Sequence, residues 1–329
     1  MHLLTTSLGK LLTVAESVGG FVAILAFLFW VAGKVRGRFE KPIANILLLG
    51  PAVILLMVGL VIPAFRTIFL SFRGQYAIGP NVKYVGLANY KWAFTDPHTL
   101  HTLLRTAEWL VLVPLVSTVL GMVFALLVDR MRFQVIAKSL IFMPTAISFV
   151  GASLIWKYVY QYRSPGLQQI GLLSEVVMKL GWSHPPNWLL SAPLNTFLLM
   201  VILVWIETGF AMVILGAAIR SVPDDVIEAA RVDGAKGWRL FRSVQLPMIS
   251  TTVTVVIITI MTATLKIFDI VYTITGGDFK TDTLSNEMYT QIFESFNTGR
   301  GSALAVVLFM AVVPLVTVSI LRLRKERYA

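Results

Sequence analysis

Two places in the chain hold residues able to do chemistry, and neither holds a catalytic set. The first is the polar stretch Ser221 to Pro247, SVPDDVIEAARVDGAKGWRLFRSVQLP. Arg231, Lys236, Arg239 and Arg242, with Arg220 just before, stand among Asp224, Asp225, Glu228 and Asp233. These charges suit pairing with a partner or within the loop. The second is Glu207, near the middle of an apolar segment, beside Trp205 and Thr208. An ionisable group inside a membrane is costly and marks a solute path or a buried hydrogen bond to a neighbouring helix. An aromatic face with a hydrogen-bonding group is a common way to hold a sugar. Trp205, Glu207 and Thr208 are therefore expected to line a solute path, with Asn195 and Thr262 as weaker candidates. Lys266 and Asp269 are three apart, a spacing that pairs charges on one helix face.

Several chemistries are absent. There is no G-x-x-x-x-G-K-[ST] to cradle a nucleotide, no H-E-x-x-H and no G-x-S-x-G. The chain has no cysteine, which excludes disulfides and thiolate metal sites. His98 and His101 have no acidic or further histidine ligand close by in sequence, so they read as loop or helix-start residues, not as a metal pair.

The elements that position these residues are membrane helices. Of 329 residues, 57% are hydrophobic and 14% charged, whereas soluble domains carry about 25% charged residues. A soluble fold could not hide so much apolar surface, so the chain is expected to be an all-α polytopic membrane protein. The net charge of +11 fits basic inner loops and attraction to anionic lipid; no nucleic-acid module is evident.

A helix needs roughly 20 apolar residues to cross a hydrocarbon core of about 30 Å. Spans are expected at about 11–32, 43–65, 103–128, 139–160, 193–219, 248–268 and 302–321. Lys34, Arg36, Arg38 and Lys41 follow the first span, with only Lys10 before it. That asymmetry predicts an outside N-terminus and a retained first span, not a cleaved leader. Arg130, Arg132, Lys138, the 220–242 cluster and the tail 322–327 then fall inside, with a cytoplasmic C-terminus.

The loop 221–247 punctuates itself. Ser221 can cap free N–H groups, Pro223 falls in a first turn, and Gly234 interrupts a short helix carrying Val226, Ile227, Ala229 and Ala230. Two brief helices at an angle, lying along a membrane surface, are expected.

Glu228-Ala229-Ala230, three residues, Gly234, nine residues, Val244, one residue, Leu246-Pro247 resembles the EAA loop of binding-protein-dependent ABC importer permeases. Val244 stands where isoleucine is usual. Val85-Gly86-Leu87-Ala88-Asn89-Tyr90 is similar to the "GL-x-NY" stretch of the sugar class. Thr275-Gly276-Gly277-Asp278, Thr283-Leu284 and Met288-Tyr289 resemble its "TGGP…T-x-TL…Y" stretch, with Asp278 in place of proline. Met288, Tyr289, Ile292 and Phe293 look closest to permeases for α-glucosides.

The resemblance implies a type I ABC importer transmembrane domain with a six-helix core at 43–329, preceded by an extra span and basic linker at 1–42. It implies two ABC ATPase subunits, a second homologous permease and an extracytoplasmic solute-binding protein as partners. ATP and magnesium would be bound by the ATPase, and this chain would need no cofactor. Glu228, Ala229, Ala230, Asp233, Gly234, Leu246 and Pro247 would couple to the ATPase, with the Ala pair keeping the docking face thin and Gly234 permitting the bend. The solute would be a di- or oligosaccharide, with polyols and glycerol phosphate open. An ion- or proton-coupled secondary transporter is the alternative; it would want acids in several spans and an internal repeat.

Overall fold

The computed structural model describes Thr13, Glu16 and residues 19–23, 26–27, 30–31, 33–34, 40–76, 83–129, 131–164 and 166–327, with 40–44, 319–320 and 322–327 described by backbone alone. Most of the expected first span, and Arg36, Arg38 and Arg130, lie outside the described residues. Two compact units emerge, residues 1–67 and 68–329.

In the first unit the described positions between 13 and 34 are helical. Helix α1, Glu40–Leu56, continues through a π turn at Met57–Val61 into α2, Ile62–Ser71. The π turn stands just before Pro63, whose ring cannot sit against the carbonyl four residues earlier; a wider turn relieves the clash.

The second unit is a helix bundle. Its elements are α3, Ala88–Thr95; α4, Pro97–Val128; α5, Gln134–Phe142; α6, Phe149–Val159; α7, Leu172–Lys179; and α8, Leu194–Arg220. Then come α9, Asp224–Val232; α10, Trp238–Leu240; α11, Leu246–Met248; α12, Ser250–Leu265; α13, Asp269–Thr275; α14, Leu284–Tyr289; and α15, Thr298–Arg327.

Among the described residues, four helical stretches are long and apolar enough to cross a membrane: Asn45–Ser71, Pro97–Val128, Leu194–Arg220 and Thr298–Val318. Two bent helix pairs, each a broken span or a re-entrant loop, pass the same test together. Gln134–Ala146 meets Phe149–Val159 at 104°, and Trp238–Met248 meets Ser250–Leu265 at 73°. The chain therefore bends inside the range expected at 139–160 and at the start of the range expected at 248–268. Each bend lies close after a proline, Pro144 or Pro247, whose missing N–H removes a rung of the ladder. Past the first bend Ser148 caps α6, its Oγ accepting from Gly151 N at 3.1 Å.

Helix α4 starts six residues before the span expected at 103–128, at a capped first turn. Asp96 accepts from the Thr99 amide at 3.0 Å and Thr99 Oγ1 at 2.9 Å, and Pro97 occupies the first turn. The core lies along α4 and α8, with Trp109, Val113, Leu199, Leu203, Met212 and Leu215 buried. Lipid supplies no hydrophobic drive between helices, so close backbone approach matters most. A Cβ on Gly121 would stand 2.5 Å from Ala211 Cβ, and one on Gly209 2.5 Å from the Ile141 carbonyl oxygen.

The described part of the segment after Ser71 packs back on that helix end. In Val85–Tyr90, Asn89 Nδ2 donates to the carbonyls of Ser71 and Arg73 at 2.8 and 2.7 Å, and Tyr90 Oη bonds Ser71 Oγ at 2.6 Å. The motif therefore ties α3 to the end of the preceding span.

Candidate functional site

Loop 221–247 is built from the end of α8 to the start of α12. Ser221 does not cap the following helix. Its amide bonds the Ala217 and Ala218 carbonyls and its Oγ donates to Ala218 O at 2.8 Å, so it closes α8. Pro223, extended at φ −58° and ψ 136°, is the residue before α9, not in its first turn. The first turn instead carries Asp224 and Asp225, whose charge suits the positive end of the helix.

Helix α9 ends at Val232, and Gly234 turns the chain at φ +84°. Gly237 turns it again at φ +52°, a second hinge not singled out from sequence. A π turn at Phe241–Gln245 precedes Pro247, as the earlier one precedes Pro63. Glu228, Ala229, Asp233, Gly234 and Pro247 are exposed; Ala230 and Leu246 are half-buried. Among the described residues Glu228 makes no ion pair within the chain. Val232 is 87% exposed and Trp238 69%. The loop thus offers an acid, a thin alanine face and two large apolar side chains outward, while Leu240 and Phe241 anchor it inward.

Its base is braced. Arg220 Nη1 donates to both oxygens of Asp129 at 2.9 and 3.1 Å, and Lys138 Nζ lies 2.5 Å from Asp129 Oδ1. Asp129 therefore joins the end of α4, helix α5 and the entrance of the loop. From sequence it reads only as one member of the short turn 129–132.

The expected solute path is only partly assembled. Trp205 meets Trp156 edge-on at 5.7 Å, and Trp156 meets Tyr160 at 5.2 Å. Glu207, two residues on in the same helix, points some 200° around the axis from Trp205. The two do not share a face of α8. Thr208 and Thr262 return their hydroxyls to the carbonyls of Val204 and Ile258 at 2.6 and 2.8 Å. Asn195 is fully buried, its Nδ2 on the Leu189 and Phe279 carbonyls and its Oδ1 on the Thr196 amide. It is spent on holding the loop 276–283. Lys266 and Asp269 form no ion pair among the described residues, because the helix breaks between Leu265 and Asp269.

That break opens a site the sequence did not single out. Phe268, Tyr272, Tyr289 and Phe293 form an aromatic ladder with ring centroids 4.8–5.0 Å apart. Phe268 and Tyr289, with Lys266, Ser285, Met288, Leu308, Phe309 and Val312, line an open, largely apolar groove of about 400 Å³. Tyr289 and Phe293 had stood out only as part of a motif; their four-residue spacing on one helix face was the available signal.

The family described as "Binding-protein-dependent transport system inner membrane component" matches residues 101–328. The osmoprotective compounds uptake permease protein GgtC of Synechocystis sp. is 45% identical over 276 residues, covering 84% of this chain and 97% of that protein. The alpha-glucoside transport system permease protein AglF of Rhizobium meliloti is 44% identical over 290 residues, covering 88% of this chain and 85% of AglF. A crystal structure of a bacterial ABC transporter that imports the acidic polysaccharide alginate contains a chain of the same fold, with a TM-score of 0.70 at 19% identity, covering 89% of this chain and 99% of that one.

Proposed function

The chain belongs to the family of binding-protein-dependent transport system inner membrane components, and from that premise we propose that it passes a sugar of the α-glucoside class through an ATP-driven importer. The solute class is carried over from AglF. Two ABC ATPase subunits bind ATP and magnesium on the cytoplasmic side. A second, homologous permease completes the path, and an extracytoplasmic solute-binding protein delivers the sugar. The C-terminus and loop 221–247 face the cytoplasm and the N-terminus faces out. Residues 1–42 form an additional span with its basic linker, and 43–329 the transporting domain.

The observation that carries this reading is the form of loop 221–247. It is exposed, hinged at Gly234 and Gly237, and braced at its base by Asp129. Helix α9 docks on the ATPase through Glu228, the Ala229-Ala230 face, Asp233, Val232 and Trp238. When the ATPase subunits close on ATP, α9 moves with them. Arg220 and Asp129 pass that movement to α8 and α4, while Leu246-Pro247 and the 73° bend pass it to α12. Nucleotide thereby biases a two-state helix bundle.

The sugar meets the aromatic ladder at the break after α12. Phe268, Tyr272 and Tyr289 offer ring faces for stacking, and Lys266 and Ser285 offer hydrogen bonds. Discontinuous membrane helices are a common place for a solute site. Glu207, Trp205, Thr208 and Thr262 contribute further along the path.

The test is ATP hydrolysis by the assembled complex in lipid with its binding protein, across α-glucosides, osmoprotective solutes, polyols and glycerol phosphate. Stimulation by an α-glucoside is expected. Stimulation by another solute would discard the sugar class and keep the mechanism.

A further inference from the structure

We propose that His98, Asp282 and Glu287 bind one divalent metal ion of the zinc class, at the end of the bundle away from loop 221–247. Three segments converge there. His98 lies in the first turn of α4, Asp282 in the loop after α13, and Glu287 in α14. The absence of acidic neighbours in sequence argued against a metal at His98; the fold supplies two acids from 184 and 189 residues away. The opposite end of the same 32-residue helix carries the Asp129 brace, so the two sites stand roughly 48 Å apart along α4.

The distances suit a small cation. His98 Nε2 is 3.3 Å from Glu287 Oε2 and 3.6 Å from Asp282 Oδ2, and the three ligand atoms lie within 4.8 Å of one another. Ligand atoms held at about 2.0–2.1 Å in a tetrahedron stand roughly 3.3 Å apart. One nitrogen and two carboxylate oxygens leave a fourth position for water.

Charge argues the same way. Asp282 is 3% exposed and Glu287 4%, and no Lys or Arg forms an ion pair with either among the described residues. Two adjacent buried carboxylates need positive charge. A divalent ion on a neutral imidazole cancels both.

The site is also built. Asp282 Oδ1 accepts from Asn286 Nδ2 at 2.8 Å, and Glu287 Oε1 accepts from Gln291 Nε2 at 2.8 Å. Each carboxylate is thus held by one oxygen while the other faces His98, the arrangement expected around metal ligands. Thr102 Oγ1 stands 3.3 Å from Asp282 Oδ2. Asn286 is 2% exposed, and its Oδ1 has no partner. The His98 side chain is 62% exposed and leaves a way in from solvent. The ion would fasten the head of α4 to the segment leading into the last span.

The experiment is zinc titration of the full chain in lipid nanodiscs after chelator treatment, read by metal content and by the thermal midpoint. His98→Gln removes the exposed ligand and leaves the core untouched; Glu287→Gln removes a buried one at nearly constant volume. One zinc per chain is expected, with a raised midpoint and at least about tenfold weaker binding in either variant. No retained zinc would overturn the proposal and leave the acids sharing a proton. Retention equal in wild type and both variants would overturn it too, by placing the metal elsewhere.

Discussion

Arg220 closes on Asp129 across 91 residues of sequence, one guanidinium nitrogen reaching both carboxylate oxygens at 2.9 and 3.1 Å. The contact stands where α8 gives way to loop 221–247, and Lys138 joins it from α5. Whatever displaces the loop must move three helix ends together. Asp129→Asn keeps the shape and loses the charge. Because Arg220 is 53% exposed, the stability cost is expected to stay within about 1 kcal/mol. Transport per ATP hydrolysed should fall while the complex still assembles. An unchanged transport-to-hydrolysis ratio in reconstituted vesicles would remove the brace from the coupling path.

Two glycines make opposite predictions. A Cβ at Gly277 would collide with the Asn286 amide and stand 2.9 Å from Asp282 Oδ1, at φ +94°. Gly277→Ala should cost about 2–4 kcal/mol from strain and overpacking, seen as a lowered thermal midpoint and poor yield. Gly234 has φ +84° but open space around it. Gly234→Ala should cost about 1–2 kcal/mol, confined to the loop, leaving the bundle's midpoint unchanged and solute-stimulated ATP hydrolysis reduced.

Trp238 is 69% exposed and stacks only on Phe241, at 5.3 Å. Trp238→Ala should alter the chain's own stability by no more than about 0.5 kcal/mol. Buried against the ATPase, such a side chain is worth about 2 kcal/mol or more, so affinity for that partner should drop by over tenfold. Co-purification with the ATPase at graded dilution measures this, and full retention would place the docking face elsewhere on the loop.

Phe293 is 60% exposed at the end of the aromatic ladder, with Tyr289 next in line. Aromatic contacts contribute about 0.5–1.5 kcal/mol beyond their buried area. Phe293→Ala and Tyr289→Ala should raise the half-saturating solute concentration for uptake by about threefold to tenfold, with loop-to-ATPase affinity unchanged. If uptake kinetics are unmoved in both, the sugar does not stack there.

Much of this molecule was legible locally. Helices long and apolar enough to cross a bilayer follow from composition over some 20 residues. The turn at Gly234 follows from a single residue type. The spacing from Glu228 to Pro247 carries the family resemblance because it is one continuous stretch. That Trp205 and Glu207 face apart follows from helical periodicity alone, once α8 is regular.

The rest was decided by packing. Asp129 finds Arg220, and His98 finds Asp282 and Glu287, only because α4 lies along α8 and supports α14. In lipid that arrangement comes from close approach at small residues, as where Gly121 of α4 meets Ala211 of α8, not from a hydrophobic stripe a sequence displays. The bends after Pro144 and Pro247, and the break after Leu265, likewise depend on which neighbours accept the freed backbone groups. Sequence by itself determined the long apolar helices and the polar loop 221–247 that separates two of them; tertiary contact alone decided which distant charges meet.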